Sequence, residues 1–281
     1  MTKKNELVGR WALILGTSSG FGAATARALA REGMHIFGVH LDTKATLPRA
    51  RQVLADIEAT GRRVVFFNTN AADAVKRGRV LEQVEAVLAE ERGRGIHFLL
   101  HSLAFGALGP FIAGGPDGAP DKVTSDGADA VIDEARMEMT LRVMAHSLVY
   151  WVQDLAGRGL LVRGSRVYAL SSAGAERMAP MYGAVSAAKA ALESHARQLA
   201  LELGARGISV NCLRPGVTNT PALRAIPGHE PYVAEALKRN PYARLTTPED
   251  VANVLVALAA PDVTWINGAV IPVDGGEIIV G

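Results

Sequence analysis

Three residues in the second half of the chain could do chemistry together: Ser172, Tyr182 and Lys189. A phenol can donate a hydrogen bond to a developing oxyanion, and a nearby ammonium favours the phenol's charged form. Tyr182 and Lys189 lie seven positions apart in the stretch "APMYGAVSAAKAAL", Ala179 to Leu192. The segment from Tyr182 to Gly204 is patterned as a helix, and Pro180 just before it fits a helix start. Residues seven apart on a helix differ by about 20° and are separated by about 10.5 Å along the axis, so the pair shares a face. Plainer readings exist for each residue alone. Tyr182 could pack as an aromatic under a loop, Lys189 could be solvated, and Ser172 could cap a turn. A lysine on a largely buried Ala-rich helix, however, needs a partner.

A second constellation lies near the start. "LILGTSSGFGAATARALA" sets Gly16, Gly20 and Gly22 at a strand-to-helix junction, with Ser18, Ser19 and Phe21 between them. Such glycines permit a tight turn and close approach of backbone to a phosphate. The helix that follows offers free N–H groups and its positive dipole end to a pyrophosphate. The rival reading is a tight turn without ligand, which would use three entropically costly glycines for little return. An acid at the end of the next strand selects NADH and repels a 2′-phosphate, whereas a basic residue there suits NADPH. The stretch "GVHLDTKATLPR" carries His40 at that place, Asp42 two residues on and Lys44 beyond. These signals conflict, and both NADPH and NADH stay open.

The elements that must hold these groups alternate. Strand-like runs cover Trp11–Gly16, His35–His40, Arg63–Asn68, His97–Ser102, Arg166–Ser172, Ile208–Leu213 and Ala269–Val273. Most are continuously apolar, as parallel strands covered on both faces are. Amphipathic segments separate them, so the fold class expected is α/β: a single-domain, Rossmann-type doubly wound parallel sheet of about seven strands over residues 1–281. Two regions break the rhythm. A loop rich in Gly, Pro and Asp follows the fourth strand at 106–126, and a Pro-punctuated stretch at 218–241 follows the sixth, where a lid over a substrate would sit.

Composition narrows the class. The net charge of +2 gives no reason to expect nucleic acid or an anionic membrane as a partner. One cysteine, Cys212, cannot form an internal disulfide or a thiolate metal site, and a reducing compartment fits. No metal is expected. No apolar run reaches about 18 residues, and no signal peptide is visible, so a cytoplasmic location is expected.

Taken together, the glycine turn, "SSAG" after the fifth strand, "RPGVTNT" after the sixth and "VDGG" near the end resemble the short-chain dehydrogenase/reductase family over nearly the whole chain. Three departures stand out. "HSLAFG", His101 to Gly106, replaces the usual Asn-Asn-Ala-Gly. Val185 stands four before Lys189, where the usual tyrosine would be. Arg142 falls at the helical position of the usual catalytic asparagine. The first two features are similar to the bacterial enoyl-acyl-carrier-protein reductases, with Tyr-x6-Lys, and the mixture is closest to their NADPH-dependent variant that keeps ordinary family motifs.

The resemblance implies roles. Tyr182 would stabilise the enolate oxygen of a 2-enoyl thioester carried on acyl carrier protein or CoA, and Lys189 would hold the nicotinamide ribose. Ser172 stands where many enoyl reductases have a second tyrosine, and would share its role. Asn70 and Ala71 would lie by the adenine, Ser102 and Leu103 along the adenosine, and Ala104 nearer the nicotinamide. Pro215, Gly216, Thr218 and Thr220 would hold the carboxamide. Phe105, Gly106 and Leu223 would meet substrate. His101 reads as a structural histidine, His195 and Cys212 as residues facing a neighbouring element, and Arg224, Lys238 and Arg239 as a basic rim on the lid. A homotetramer is expected for the family. Two other functions remain: a carbonyl, 3-oxoacyl or alcohol oxidoreductase of the same fold, and a non-catalytic nucleotide sensor.

Overall fold

The computed structural model describes residues 6–91, 95–113, 131–224, 226 and 229–280. Seven parallel strands form one sheet in the order β3-β2-β1-β4-β5-β6-β7. They are β1 (Trp11–Leu15), β2 (His35–His40), β3 (Val64–Asn68), β4 (Ile96–His101), β5 (Leu161–Leu170), β6 (Ser209–Pro215) and β7 (Val270–Val273). The helices are α1 (Gly20–Arg31), α2 (Leu47–Glu58), α3 (Ala74–Ala89), α4 (Glu134–Leu141), α5 (Ser147–Gly157), α6 (Gly183–Gly204), α7 (Pro221–Arg224), α8 (Glu230–Arg239) and α9 (Pro248–Ala259). This is the doubly wound α/β fold.

The apolar strands are continuous because each feeds two cores. In β1, Trp11, Leu13 and Leu15 enter a core shared with α3, α5 and α6, while Ala12 and Ile14 enter one shared with α1, α2 and α9. Burial on both faces removes the polar alternation of a one-sided sheet. Strand order reverses between β1 and β4, and a ligand crevice forms at the carboxyl ends of strands at such a switch point. Gly16 and Ser102 meet there: Ser102 N donates to Leu15 O at 2.9 Å.

The structure departs from the sequence reading in several places. The fifth strand starts at Leu161 rather than Arg166, since its first half pairs only briefly with β4 through Ile96. The long helix starts at Gly183, so Tyr182 is its capping residue with φ −101° and not a helical one. Met181 before it has φ +64°, a left-handed conformation uncommon for a side chain of this size. Between α4 and α5 the chain makes a π-helical turn over Arg142–His146. The 218–241 stretch contains α7 and α8, and positions 114–126 of the loop after β4 lie outside the described residues. Among the described residues no helix is long and apolar enough to cross a membrane.

Candidate active site

The glycine turn is built for close approach. Gly16 has φ +95°, and a Cβ there would lie 2.3 Å from Ser102 O; one at Gly22 would lie 2.0 Å from Gly16 O. No side chain larger than hydrogen fits either place. Ser19 caps α1 without a side-chain hydrogen bond, leaving first-turn N–H groups directed into the crevice. This cradle fits the pyrophosphate of a dinucleotide. Leu103 lies against Gly16, and Thr220 lies 3.5 Å from the position of a Cβ on Gly20. The first segment after β6 therefore borders the turn.

At the end of β2, His40 Nδ1 is 2.8 Å from Asp42 Oδ2, and both side chains are nearly buried. Burial raises the Asp42 carboxyl, but the contact with His40 and the neighbouring Thr46 and Ser18 outweigh it, and the net shift is downward. Asp42 is thus a fixed negative charge beside the glycine turn. Asn70 Oδ1 accepts from Ala72 N at 2.9 Å, so it caps the chain entering α3, and Ala71 O accepts from Trp151 Nε1 at 2.9 Å.

Beyond β5, Ser172 Oγ accepts from Gly174 N at 3.1 Å and caps the 3-10 turn Ala173–Ala175. The same hydroxyl lies beside the Tyr182 side chain, both flanking the place a Cβ on Gly174 would take. A Cβ on Gly174 would lie 2.6 Å from the Tyr182 ring, so the ring rests on this glycine. Burial pushes the phenol's pKa up, and the Ser172 hydroxyl partly offsets it. Tyr182 therefore stays protonated at neutral pH, the state a hydrogen-bond donor needs.

Lys189 is 5% exposed and its Nζ donates to Leu170 O at 2.7 Å. Burial lowers it to about 8, against the opposing pull of Cys212 and Glu193. Val185, at the position four before it, is packed in the core and touches the space beside Gly106, as do Met144 and Thr140. A phenol would not fit there.

The π turn directs Arg142 outward; it is exposed, and its Nε reaches Ala72 O at 3.4 Å. His101 is fully buried with Nε2 2.8 Å from Ser147 Oγ. His195 Nε2 faces His146 Nδ1 at 2.9 Å, and Cys212 is buried. Thr218 and Thr220 are buried, their hydroxyls engaged with Gly216 O and Leu223 N. Leu223 is half-buried on α7, and Ala104 and Phe105 are exposed. Of the basic rim, Arg224 bonds Asn219 and Arg239 pairs with Glu235.

Several neighbours of the site were missed in the sequence. Gly109 N donates to Met181 O at 2.9 Å, and the Phe111 ring sits where a Cβ on Gly183 would be, at 2.5 Å. The loop after β4 is thus tied to the tyrosine segment. Ser171, Glu193 and Arg214 form a buried polar cluster beneath it. Only the four-residue step from Lys189 to Glu193 hinted at that cluster.

A family model described as enoyl-(acyl carrier protein) reductase matches residues 16–277, almost the entire chain. The chain belongs to the short-chain dehydrogenase/reductase family. Across this family, reactions use NAD(P)(H), and this member is an oxidoreductase. Relatives extend over the full length. A cyclohexanol dehydrogenase of Rhodococcus sp. is 27% identical, with 98% of each chain covered. The dehydrogenase/reductase SDR family member 4 of Mus musculus is 29% identical, covering 98% of this chain and 90% of the relative. A short chain dehydrogenase from Burkholderia cenocepacia, solved in complex with NADP, is 29% identical with a TM-score of 0.77, covering 98% of this chain and 100% of that one. The named relatives are dehydrogenases and reductases rather than enoyl reductases.

Proposed function

We propose that this short-chain dehydrogenase/reductase reduces 2-enoyl thioesters, with Tyr182, Lys189 and Ser172 as its reacting and binding groups. The observation that carries the reading is the pairing of a core-packed Val185 with a phenol held at the entrance to α6. When bound, the reduced nicotinamide supplies hydride to the β-carbon of the enoyl group. Negative charge then builds on the thioester oxygen, three bonds from that carbon. A donor beside that oxygen stands elsewhere than one serving a ketone, whose oxygen is on the carbon attacked.

Tyr182 fits this demand by lying before α6 rather than one turn into it. Its protonated phenol donates to the enolate oxygen, and a donor of this kind contributes about 10²–10³ in rate. Ser172 places its hydroxyl beside the phenol, whose ring rests on Gly174. Lys189 holds the ribose through its ammonium, and its charge eases the build-up of negative charge around the phenol. Exposed Phe105, Phe111 and Ile112 give the mouth an apolar wall suited to an acyl chain. Carrier protein or CoA presents the thioester, and the enzyme works as a homotetramer in the cytoplasm, in fatty-acid synthesis. The fixed Asp42 carboxylate favours NADH over NADPH.

A second reading has its own support. A serine hydroxyl beside a tyrosine phenol suits a carbonyl oxygen equally well, and the relatives' names speak for alcohols and ketones. Purified protein assayed with NADH and NADPH on a 2-enoyl thioester, a 3-oxoacyl thioester and cyclohexanol with the oxidised nucleotides separates the two. Turnover of the enoyl substrate, lost about 10²-fold or more in Tyr182→Phe, is the expected result. Turnover confined to the oxo substrate or the alcohol refutes the enoyl assignment. Silence on all three leaves the nucleotide sensor in front.

A further inference from the structure

Below the candidate site lies a buried charged cluster that nothing above uses. Glu193 stands one turn after Lys189 on α6, and both point into the interior. Ser171 Oγ donates to Glu193 Oε1 at 2.5 Å, one residue after the carbonyl of Leu170 that Lys189 holds at 2.7 Å. Arg214 at the end of β6 donates through Nη2 to Glu193 Oε1 at 3.2 Å. Its two Nη atoms also grip Glu176 at 3.0 and 2.7 Å. Glu176 closes the 3-10 turn that Ser172 opens. The cluster thus connects the exit of β5, the serine turn, the lysine helix and the strand leading into Pro215.

Glu193 and Arg214 are almost wholly buried, at 7% and 9% exposure. A buried ion pair gains little stability over an apolar pair of the same volume, because desolvating the charges offsets their attraction. A reason for charge here is therefore sought in the site above. We infer that Glu193 and Arg214 are positioning residues, holding the Ser172 turn and the Lys189 ammonium in one fixed frame. The carboxylate does two things. Through Ser171 it sets the height of the serine turn against α6. Through its charge it joins Cys212 in opposing the burial that lowers Lys189. The other groups facing Lys189 are His101 on β4 and Cys212 on β6, with Arg214 beyond Glu193; of these, Glu193 is the anion.

The inference rests on Ser172, Tyr182 and Lys189 being the reacting and binding groups, and not on which substrate is reduced. The test uses Glu193→Gln, which keeps the shape and the acceptor for Ser171, and Ser171→Ala, which keeps the charge. Reduced-nucleotide affinity is titrated by fluorescence from neutral to alkaline pH, beside thermal midpoint, kcat and KM. Glu193→Gln leaves Arg214 its Glu176 partner, so it is expected to fold with a lowered midpoint and to lose nucleotide affinity at lower pH than the parent, because removing the carboxylate leaves Lys189 less readily charged. Its kcat at neutral pH should fall about tenfold with KM changed less than about twofold, as expected when a group is misplaced by a fraction of an ångström. Ser171→Ala should lower kcat with no displacement of the pH profile, and it carries the test if Glu193→Gln does not fold. An unmoved affinity profile in Glu193→Gln, or parental kcat in Ser171→Ala, overturns the inference. Tyr182→Phe run alongside keeps the failures apart: parental turnover in that variant sinks the catalytic assignment, while the affinity profile still reports on Glu193 and Lys189.

Discussion

His101 should make this enzyme fail in mild acid, and the size of the effect follows from its surroundings. Ser147 Oγ donates its proton to Val143 O at 2.7 Å, so at the 2.8 Å contact with His101 the hydroxyl can only accept. Nε2 therefore carries the ring hydrogen, and the bare nitrogen is Nδ1, which has no partner among the described residues. Protonation at Nδ1 would place a cation in the interior. Burial, and secondarily the charge of Lys189, lower this histidine from 6.5 to about 3. A depressed base is protonated in the unfolded chain but not in the folded one between those two values, so its contribution to stability falls as pH falls through that window. From pH 7 to pH 5 the loss is about 2 kcal/mol, and it is the same whether the folded value is 3 or 4. His101→Asn retains an N–H for Ser147 and removes the titration. Urea unfolding of both proteins at the two pH values, at one protein concentration, gives the comparison. The parent should lose about 2 kcal/mol more than the variant. Equal losses would mean that the histidine is not held neutral, and the argument from burial would fail with it.

Two further substitutions probe the nucleotide crevice. Asp42→Ser removes the fixed carboxylate and should raise NADPH affinity relative to NADH by about tenfold or more, read from the two dissociation constants; an unchanged ratio would remove Asp42 from cofactor choice. Gly16→Ala puts a methyl 2.3 Å from the Ser102 carbonyl at φ +95°, and it should abolish measurable nucleotide binding and lower stability by about 2 kcal/mol or more, checked by titration and thermal melting.

The sheet was legible because its strands are short, apolar and separated by amphipathic helices, and β1, β2 and β3 appear within a residue of where the pattern puts them. The crevice was legible because glycines at a strand-to-helix junction have few other uses. What stayed hidden depends on tertiary context. Met181 turns left-handed just before Tyr182, and no propensity announces that for methionine. The cluster of Ser171, Glu193 and Arg214 joins residues from three elements whose neighbourhood exists only after the sheet has formed. Arg142 was read in register with a catalytic position, and the π-helical turn that starts there is not announced by the sequence pattern.

The wide turn at Arg142–His146 amounts to a spare residue inserted into a helical path. Each residue advances the direction of side chains by about 100°, so the chain before the turn and the chain after it are indexed to different angular origins. Thr140 upstream addresses the Ala107 amide, whereas Ser147 downstream addresses His101 at the end of β4. The two halves of one helical segment thereby service two separate stretches of the same strand exit. Which side chain looks into the site from this segment is set by its length as much as by its composition. A gain or loss of one residue there would exchange the inward-facing position wholesale while leaving every side chain of the sheet in place.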